Sequence, residues 1–466
     1  MNIFIFHRDL RIIDNTTLIA QIRNEHSITP IFIFTPEQIE PKKNTYHSNN
    51  SVQFMIESLH ELNNTITKYH GKMYFFHGHT IQILESIKNI NSIGYNIDYT
   101  PYARKRDETI NKWCEEKKIK CYAYEDYGLY NIIDGSTKNK KSNNAYLVYT
   151  PFKKFCLKNL KVRDVDKFNK YHFKIEPKLN DNHYHINVKD IDKYYYENNN
   201  INVRGGRSNG LKILSNIKKW TDYNKGRDYL TYKTTFLSAH NHFTTISIRE
   251  TYHKILSTLG LKNNLINELH WREFYMNITY YFPHVLEGQI KTHNKPLKLK
   301  YNITWHTNKK FYDLWCQGKT GFPIVDAAMT QLNTTGYMHN RCRMIVASFL
   351  CKDLLLDWRE GERYFASKLV DYDAMSNSGG WGWASSTGAD SQPYFRIFNP
   401  WLQQVKFDKE CEYIKKWLPS LKDIPNNEIH KWYDSKIHNK YTIYIKPIVN
   451  HDEQRPLALK LYKQVK

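Results

Sequence analysis

Asn2-Ile-Phe-Ile-Phe6 and, one helix further on, Pro30-Ile-Phe-Ile-Phe34 decide the fold class. Each is a short unbroken apolar run, as expected of a strand buried on both faces of a parallel sheet. Lys72–Phe76 and Ser92–Tyr95 continue the series. Between the runs lie helical stretches. Val52–Tyr69 carries apolar residues at 52, 55, 59 and 62, the spacing of one helix face. Such alternation predicts an α/β N-terminal domain, a Rossmann-like parallel sheet with helices on both sides. No G-x-G-x-x-G follows the first strand, so the ordinary dinucleotide fingerprint is missing.

Outward from this region the pattern changes twice. Ser136–Asn144 reads STKNKKSNN, and Pro177–Asn202 is rich in Asn, Asp, Lys and Tyr. Both predict surface connections or mobile insertions. From about Gly210 the chain reads as helical. Gly210–Trp220 is amphipathic, and Met338–Trp358 has a long apolar stripe. Phe322–Gly336 is the best-marked helix: Pro323 suits its first turn, Val325, Ala328, Met329 and Leu332 share a face, and Gly336 closes it. No strand is evident after residue 245. The expected division is an α/β domain over 1–130, a connection over 131–203 and an all-α domain over 204–466.

The 466 residues suit two or three domains, and 41% hydrophobic residues are enough for a large core. No apolar run is long enough for a membrane span and the start resembles no signal peptide, so an intracellular soluble protein is expected, cytoplasmic or nuclear. Seven cysteines, odd in number, loosely spaced and without C-x-x-C, predict neither a disulfide framework nor a metal site. The formal charge of +22 favours a polyanionic partner, nucleic acid first. Part of that excess matches the Lys, Asn, Ile and Tyr bias of an AT-rich genome. Eleven Trp and 35 Tyr suit stacking on bases or on a flat cofactor.

Four clusters in the second half carry chemistry. In Glu268-Leu-His-Trp271-Arg272-Glu-Phe-Tyr275, Glu268, Trp271 and Arg272 share a helix face, a set able to bind a polar planar ligand or simply to form ion pairs. In Gly336-Tyr-Met-His-Asn340-Arg341-Cys-Arg343-Met344, Asn340 and Met344 align while Arg341 and Arg343 are expected to point elsewhere. Asp371–Trp383 sets Gly379 and Gly380 beside Trp381 and Trp383, predicting a backbone that approaches something flat. Thr234-Thr235-Phe236-Leu237-Ser238 places hydroxyls ahead of a helix, where capping is the first expectation and phosphate binding the second.

Together these residues resemble the photolyase and cryptochrome family, closest to the class I cyclobutane-dimer photolyases. The resemblance starts at His7-Arg8-Asp9-Leu10-Arg11 and Asp14-Asn15 and runs through Glu268–Tyr275 and Trp315–Met344. It is densest where the chain reads KDLLLDWREGERYF, NSGGWGWASSTG and PYFRIFNP. The resemblance implies an antenna domain at 1–130 and a catalytic domain at 204–466 that binds FAD bent into a U. Tyr223 and Thr234, Thr235, Phe236, Leu237 and Ser238 match the phosphate-contacting segment. Arg343 and Asp371 match a salt bridge over the flavin, Tyr372 and Asp373 the adjoining stretch, and Asn377 the residue facing flavin N5. Glu268, Asn340, Trp271, Trp383 and Met344 match the pocket for a flipped-out pyrimidine dimer. Trp381, Trp358 and Trp305 match a relay that carries electrons inward to the flavin. Arg227, Arg272, Tyr275, Arg341 and Gln403 match DNA-facing positions, Arg272 also falling in the cofactor set.

The implied function is light-dependent DNA repair by a monomer. Reduced FAD absorbs light, passes an electron to the dimer, and recovers it after the ring opens. A cryptochrome-like blue-light receptor and a (6-4) photolyase are the alternatives. Against the second, His339-Asn340 stands where those enzymes have paired histidines, and an amide cannot titrate. Against the first, the chain ends at Lys466 without the long tail through which such receptors commonly signal. Two departures stand out. Tyr337 replaces a frequent Trp, and Pro101-Tyr102 replaces an Asn-Glu pair that contacts folate. A second antenna chromophore is therefore expected to be something other than folate, if one is bound.

Overall fold

A computed structural model describes residues 1–286 and 303–463. Its N-terminal part is a six-stranded sheet in the order β5-β4-β1-β2-β3-β6. The strands are β1 (Asn2–Phe6), β2 (Thr29–Phe34), β3 (Tyr74–His77), β4 (Ser92–Ile97), β5 (Lys120–Glu125) and β6 (His185–Ile186). β1 to β5 are parallel, with Ile3 opposite Thr29 and Asn2 opposite Ser92. β6 runs antiparallel to β3. The alternation of Ile and Phe explains why these runs are apolar throughout. Phe4, Phe6, Phe32, Phe34 and Phe75 pack on one face, against the Asn49–Lys68 helix and Phe243. Ile3, Ile5, Ile31, Ile33 and Phe76 pack on the other, against Leu84, Ile110 and Trp113. Both faces are dry, so neither side of a strand can be polar.

Two strands were not evident in the sequence. β5 is an edge strand with a half-exposed KCYAYE pattern, and β6 has only two residues. β6 lies within Pro177–Asn202, expected as a surface or mobile insertion. That stretch instead forms two short 3-10 turns, Pro177–Asp181 and Val188–Tyr194, around β6 and buries Leu179 and Ile191. Its few apolar residues are spent on the sheet edge, which composition alone does not reveal.

The second half is helical, and among the described residues no named strand follows residue 245. Pro323–Thr335 is a helix with Pro323 in its first turn and Gly336 at φ 65°, left-handed, as its C-cap. Gly210–Trp220 is not one helix: Arg207–Ser215 ends at Asn216 and a 3-10 turn, Ile217–Trp220, follows. The apolar stripe of Met338–Trp358 also splits, into the helices Asn340–Lys352 and Trp358–Lys368.

Buried ions tie the two parts together. Arg249 donates to the Asp14 and Asp126 carboxylates at 2.7 and 2.8 Å, and Arg11 to Asp126 at 2.6 Å. All four side chains are 5% exposed or less. Burial alone opposes a charge on Asp126, but the two guanidiniums outweigh it and hold its carboxyl well below the usual range. The family-matching residues around Arg11 and Asp14 are thus a clasp between the sheet and the helical domain.

Candidate active site

One wall of a cavity of about 530 Å³ is the Asn264–Tyr281 helix. Asn263 starts it by accepting the Leu265 N–H at 3.0 Å. Glu268, Trp271, Arg272 and Tyr275 then recur every three or four residues and all line the cavity. The volume is that of a small-molecule site.

The Asn340–Lys352 helix enters from another side. His339 caps it through the Arg341 N–H, 3.1 Å away. Asn340 and Met344 line the cavity, as expected, but so do Arg341 and Arg343. The cavity wraps the first turn of this helix instead of meeting one face, so helical spacing was a poor guide to these arginines. Arg343 pairs with Asp371 at 2.9 Å and donates to the Met338 carbonyl at 2.9 Å. Arg341 pairs with Asp228 at 2.7 Å.

The third wall is the Ala374–Ala384 helix, capped by Asp373, which accepts the Ser376 N–H at 2.8 Å. It contributes Asn377, Trp381 and Trp383. The expectation for Gly379 and Gly380 holds in part. A Cβ on Gly379 would lie 2.2 Å from the Tyr275 ring, so the flat neighbour there is Tyr275; Gly380 borders the cavity with open space beside it. Asn377 donates through Nδ2 to the Glu362 carbonyl at 3.0 Å and to its carboxyl at 2.8 Å. With both N–H groups occupied, the acceptor Oδ1 is what remains for a ligand. Burial pushes the Glu362 carboxyl up to about 7, against the pull of the Asn377 amide.

Tyr223 and Thr234–Ser238 close the cavity. The expected capping by their hydroxyls does not occur. The Ser238–His242 helix has only five residues and no side-chain cap. The Thr234 hydroxyl bonds instead to Tyr337 Oη at 3.1 Å, and Phe236 takes a left-handed φ of 57°. A bulky residue there is strained by about 1–3 kcal/mol, a feature that clusters at ligand clamps.

Two ion pairs set the local field. Arg227 meets Glu268 at 2.5 Å, each side chain about one-third exposed toward the cavity. Protein around Glu268 pushes its carboxyl up, with Arg227 pulling the other way. Asp373 meets His242 at 3.1 Å and Arg8 at 3.9 Å. Burial disfavours its charge, but His242, Arg8 and Arg272 outweigh that and keep it ionised far below the usual range. Arg272 itself donates to the Tyr127 carbonyl at 2.7 Å, and so is held at the junction with the sheet domain.

Four expected residues lie outside the cavity for different reasons. Tyr372 alternates with Asp371 and Asp373 and points away, stacking on Tyr46 at 6.2 Å. Gln403 sits on the separate Pro400–Phe407 helix, beside exposed Leu402 and Val405. Trp358 and Trp305 are set back from the cavity, Trp358 buried and Trp305 half-buried against Tyr462. Only Trp381 of the three tryptophans touches the cavity. The helix of Trp358 comes close to it through Gly361, where a Cβ would lie 2.2 Å from the Trp381 ring. Sequence reasoning passed over His242, Asp228 and Glu362, which hold Asp373, Arg341 and Asn377. Their partners are distant in sequence, and no local spacing signals them.

Comparison with known proteins decides the family. A family model described as "FAD binding domain of DNA photolyase" matches residues 265–464, and one described as "DNA photolyase" matches residues 2–170. The chain belongs to the DNA photolyase family. A protein of Buchnera aphidicola subsp. Baizongia pistaciae named deoxyribodipyrimidine photo-lyase is 35% identical over all of this chain and 98% of its own length. An archaeal photolyase from Sulfolobus tokodaii, solved with two FAD molecules, superposes with a TM-score of 0.86 at 38% identity, over 100% of both chains. A cryptochrome from Synechocystis superposes equally well, TM-score 0.85, at 24% identity over 99% of both chains, a likeness of fold alone.

The cavity suits the photolyase cofactor. Hydroxyls on Thr234, Thr235 and Ser238 suit phosphates, Trp381 and Phe365 give flat faces and Leu369 an apolar wall, and Asn377 Oδ1 offers an acceptor to a ring N–H.

Proposed function

We propose that this chain is a light-dependent DNA repair enzyme that splits cyclobutane pyrimidine dimers with reduced FAD. One observation carries the reading: the residues matching the flavin site, all but Tyr372, and those matching the lesion site line a single cavity. Bound FAD supplies light absorption and a transferable electron. The protein's part is binding, orientation and exclusion of water.

Asn377 accepts a flavin N–H through Oδ1, held in that orientation by Glu362. An amide does this without adding a charge that shifts with pH. Arg343 and Asp371 bring a neutral ion pair to the ring, and Asp373 adds a permanent carboxylate nearby. Trp271 and Trp383 offer flat faces to the two pyrimidines, Met344 an apolar wall, and Glu268 and Asn340 hydrogen bonds to their polar edge. A flipped lesion needs this combination of stacking and edge contacts. Trp381 borders the cavity, Trp358 is buried and Trp305 is half-buried, and together they would serve to carry electrons from an external reductant inward to the cofactor.

DNA containing pyrimidine dimers is the partner, held through Arg227, Arg272, Tyr275, Arg341 and Gln403. Arg227 and Arg341 already face Glu268 and Asp228, so phosphates compete with carboxylates for them. One chain contains the full set of residues, which supports a monomer. The enzyme works inside the cell, where DNA is, and no helix among the described residues is long and apolar enough to cross a membrane.

Residues 1–130 form the antenna domain, 131–203 the connection and 204–466 the catalytic domain. A second chromophore binds at the carboxyl ends of the parallel strands, the usual ligand position of such sheets. There the His7 ring nitrogen Nδ1 is buried without a partner, and Tyr102 Oη reaches Thr35 at 2.8 Å. The two FAD molecules of the Sulfolobus tokodaii protein support a second flavin over a folate.

The deciding test is dimer loss from irradiated DNA in light and in darkness, with extraction of the bound chromophores. Light-dependent loss with extractable FAD is expected. Flavin without dimer repair would point to a receptor, and repair of the (6-4) lesion alone would move the enzyme to the other branch.

A further inference from the structure

Tyr149 begins the Tyr149–Asn159 helix of the connecting segment, far in sequence from the cavity helices. Its ring lies flat on Trp271, with centroids 3.7 Å apart and planes within 7°. That is closer than the roughly 4.5–7 Å usual for aromatic pairs. Tyr149 is 8% exposed and lies behind the cavity wall, whereas Trp271 lines it. One face of the indole is therefore covered by Tyr149, Tyr275 lies tilted beside it at 5.7 Å, and the part of Trp271 that remains borders the cavity.

The stack is pinned at two further points. The Tyr149 hydroxyl donates to the Asn267 carbonyl at 3.0 Å, on the same helix as Trp271 and one turn before it. Burial pushes that hydroxyl up, and the charge of Glu268 adds to the shift, so it stays a donor throughout the neutral range. Phe274 stands edge-on to both rings, 6.0 Å from Tyr149 and 5.7 Å from Trp271. The phenol is thus fixed to the helix it supports.

We infer that Tyr149 is a positioning residue for the lesion: it holds the Trp271 indole in one orientation, with the part that borders the cavity ready for the flipped pyrimidine pair. The inference rests on the proposed role of Trp271 as one of the two stacking indoles. An indole without backing samples several rotamers, and a ligand that stacks on it must first stop that motion. A backed indole has lost this freedom on folding, so the cost does not fall on binding. The ring does this work and the hydroxyl only orients the ring. A flat replacement should keep the function and an aliphatic one should lose it.

The test uses the full-length, FAD-loaded chain with Tyr149→Leu, Tyr149→Phe and Trp271→Leu. Three quantities are read: the Kd for a dimer-containing oligonucleotide, the Kd for the undamaged oligonucleotide, and the repair yield per photon of chemically reduced enzyme at saturating DNA. Tyr149→Leu should weaken dimer binding by roughly three- to tenfold, the worth of one aromatic stack. Flavin content, undamaged-DNA affinity and the saturated yield should stay as in the parent. Tyr149→Phe should bind the dimer as the parent does, and Trp271→Leu should bind it more weakly than Tyr149→Leu. Unchanged dimer affinity in Tyr149→Leu, beside a loss in Trp271→Leu, would overturn the positioning role and leave the stacking role of Trp271 standing. No loss in Trp271→Leu would overturn both. Loss of flavin, an equal loss on undamaged DNA, or a Tyr149→Phe as weak as Tyr149→Leu would each reduce Tyr149 to scaffold and overturn the inference.

Discussion

Removing the Glu268 carboxyl tests the lesion pocket most directly. In the structure it makes one ion pair, to Arg227 at 2.5 Å, with both side chains about one-third exposed. A pair so open to solvent is screened, so Glu268→Ala should cost no more than about 1 kcal/mol of stability. Flavin content should be normal, since no expected flavin contact involves Glu268. Repair is different. A hydrogen bond to a group that becomes charged is worth about 1.5–3 kcal/mol, so its loss should lower the repair step roughly ten- to hundredfold. The assay is repair yield per absorbed photon, with chemically reduced enzyme and saturating dimer-containing DNA. Glu268→Gln adds a sign test. Although about one-third of its surface stays open to the cavity, the protein packed around Glu268 raises its carboxyl against the pull of Arg227, so its protonated form, the one able to donate, is lost as pH rises through the shifted value. Yield in the parent should fall with rising pH, and Glu268→Gln should be flat. Yield in Glu268→Ala equal to the parent at saturation would refute the assignment of this carboxyl to the lesion.

Three other perturbations follow from the same geometry. Trp305→Phe should slow photoreduction of oxidised FAD and spare repair by enzyme reduced beforehand; photoreduction at the parental rate would remove Trp305 from the relay. Arg249→Met leaves Asp14 and Asp126 buried with fewer cations and should lower chemical-unfolding stability by about 3–5 kcal/mol, while a loss under about 1 kcal/mol would mean the interdomain clasp is not holding charge as described. Glu362 has its carboxyl raised to about 7 in the folded protein, so its contribution to stability is complete below the ordinary carboxyl range and disappears as pH rises through about 7. The Glu362 contribution amounts to a loss of roughly 1–3 kcal/mol between pH 5.5 and 8.5, so unfolding free energy should fall by that much less in Glu362→Gln than in the parent over this range; equal slopes in the two proteins would show that Glu362 titrates normally.

Local pattern was enough for the central strands and for Pro323–Thr335, because each signal lies within a few residues. A buried strand must be apolar on both faces, and a helix start and stop are set by Pro323 and Gly336. It failed for β5 and β6, whose short or mixed faces look like loop. Periodicity also ran Asn340–Lys352 into Trp358, since an apolar stripe does not record a change of direction.

Sequence by itself determined the family, the two-part architecture and the residue types that line the cavity, because these rest on contiguous motifs such as NSGGWGWASSTG. Only the tertiary structure decided which of those residues face one cavity. It turned Tyr372 onto Tyr46, brought Arg341 and Arg343 into the cavity, closed Arg227 on Glu268, and set Tyr149 flat against Trp271. Each of these is a contact between segments distant in the chain, or a matter of where a helix ends. Such contacts depend on how whole elements pack, and no short stretch of sequence encodes that packing.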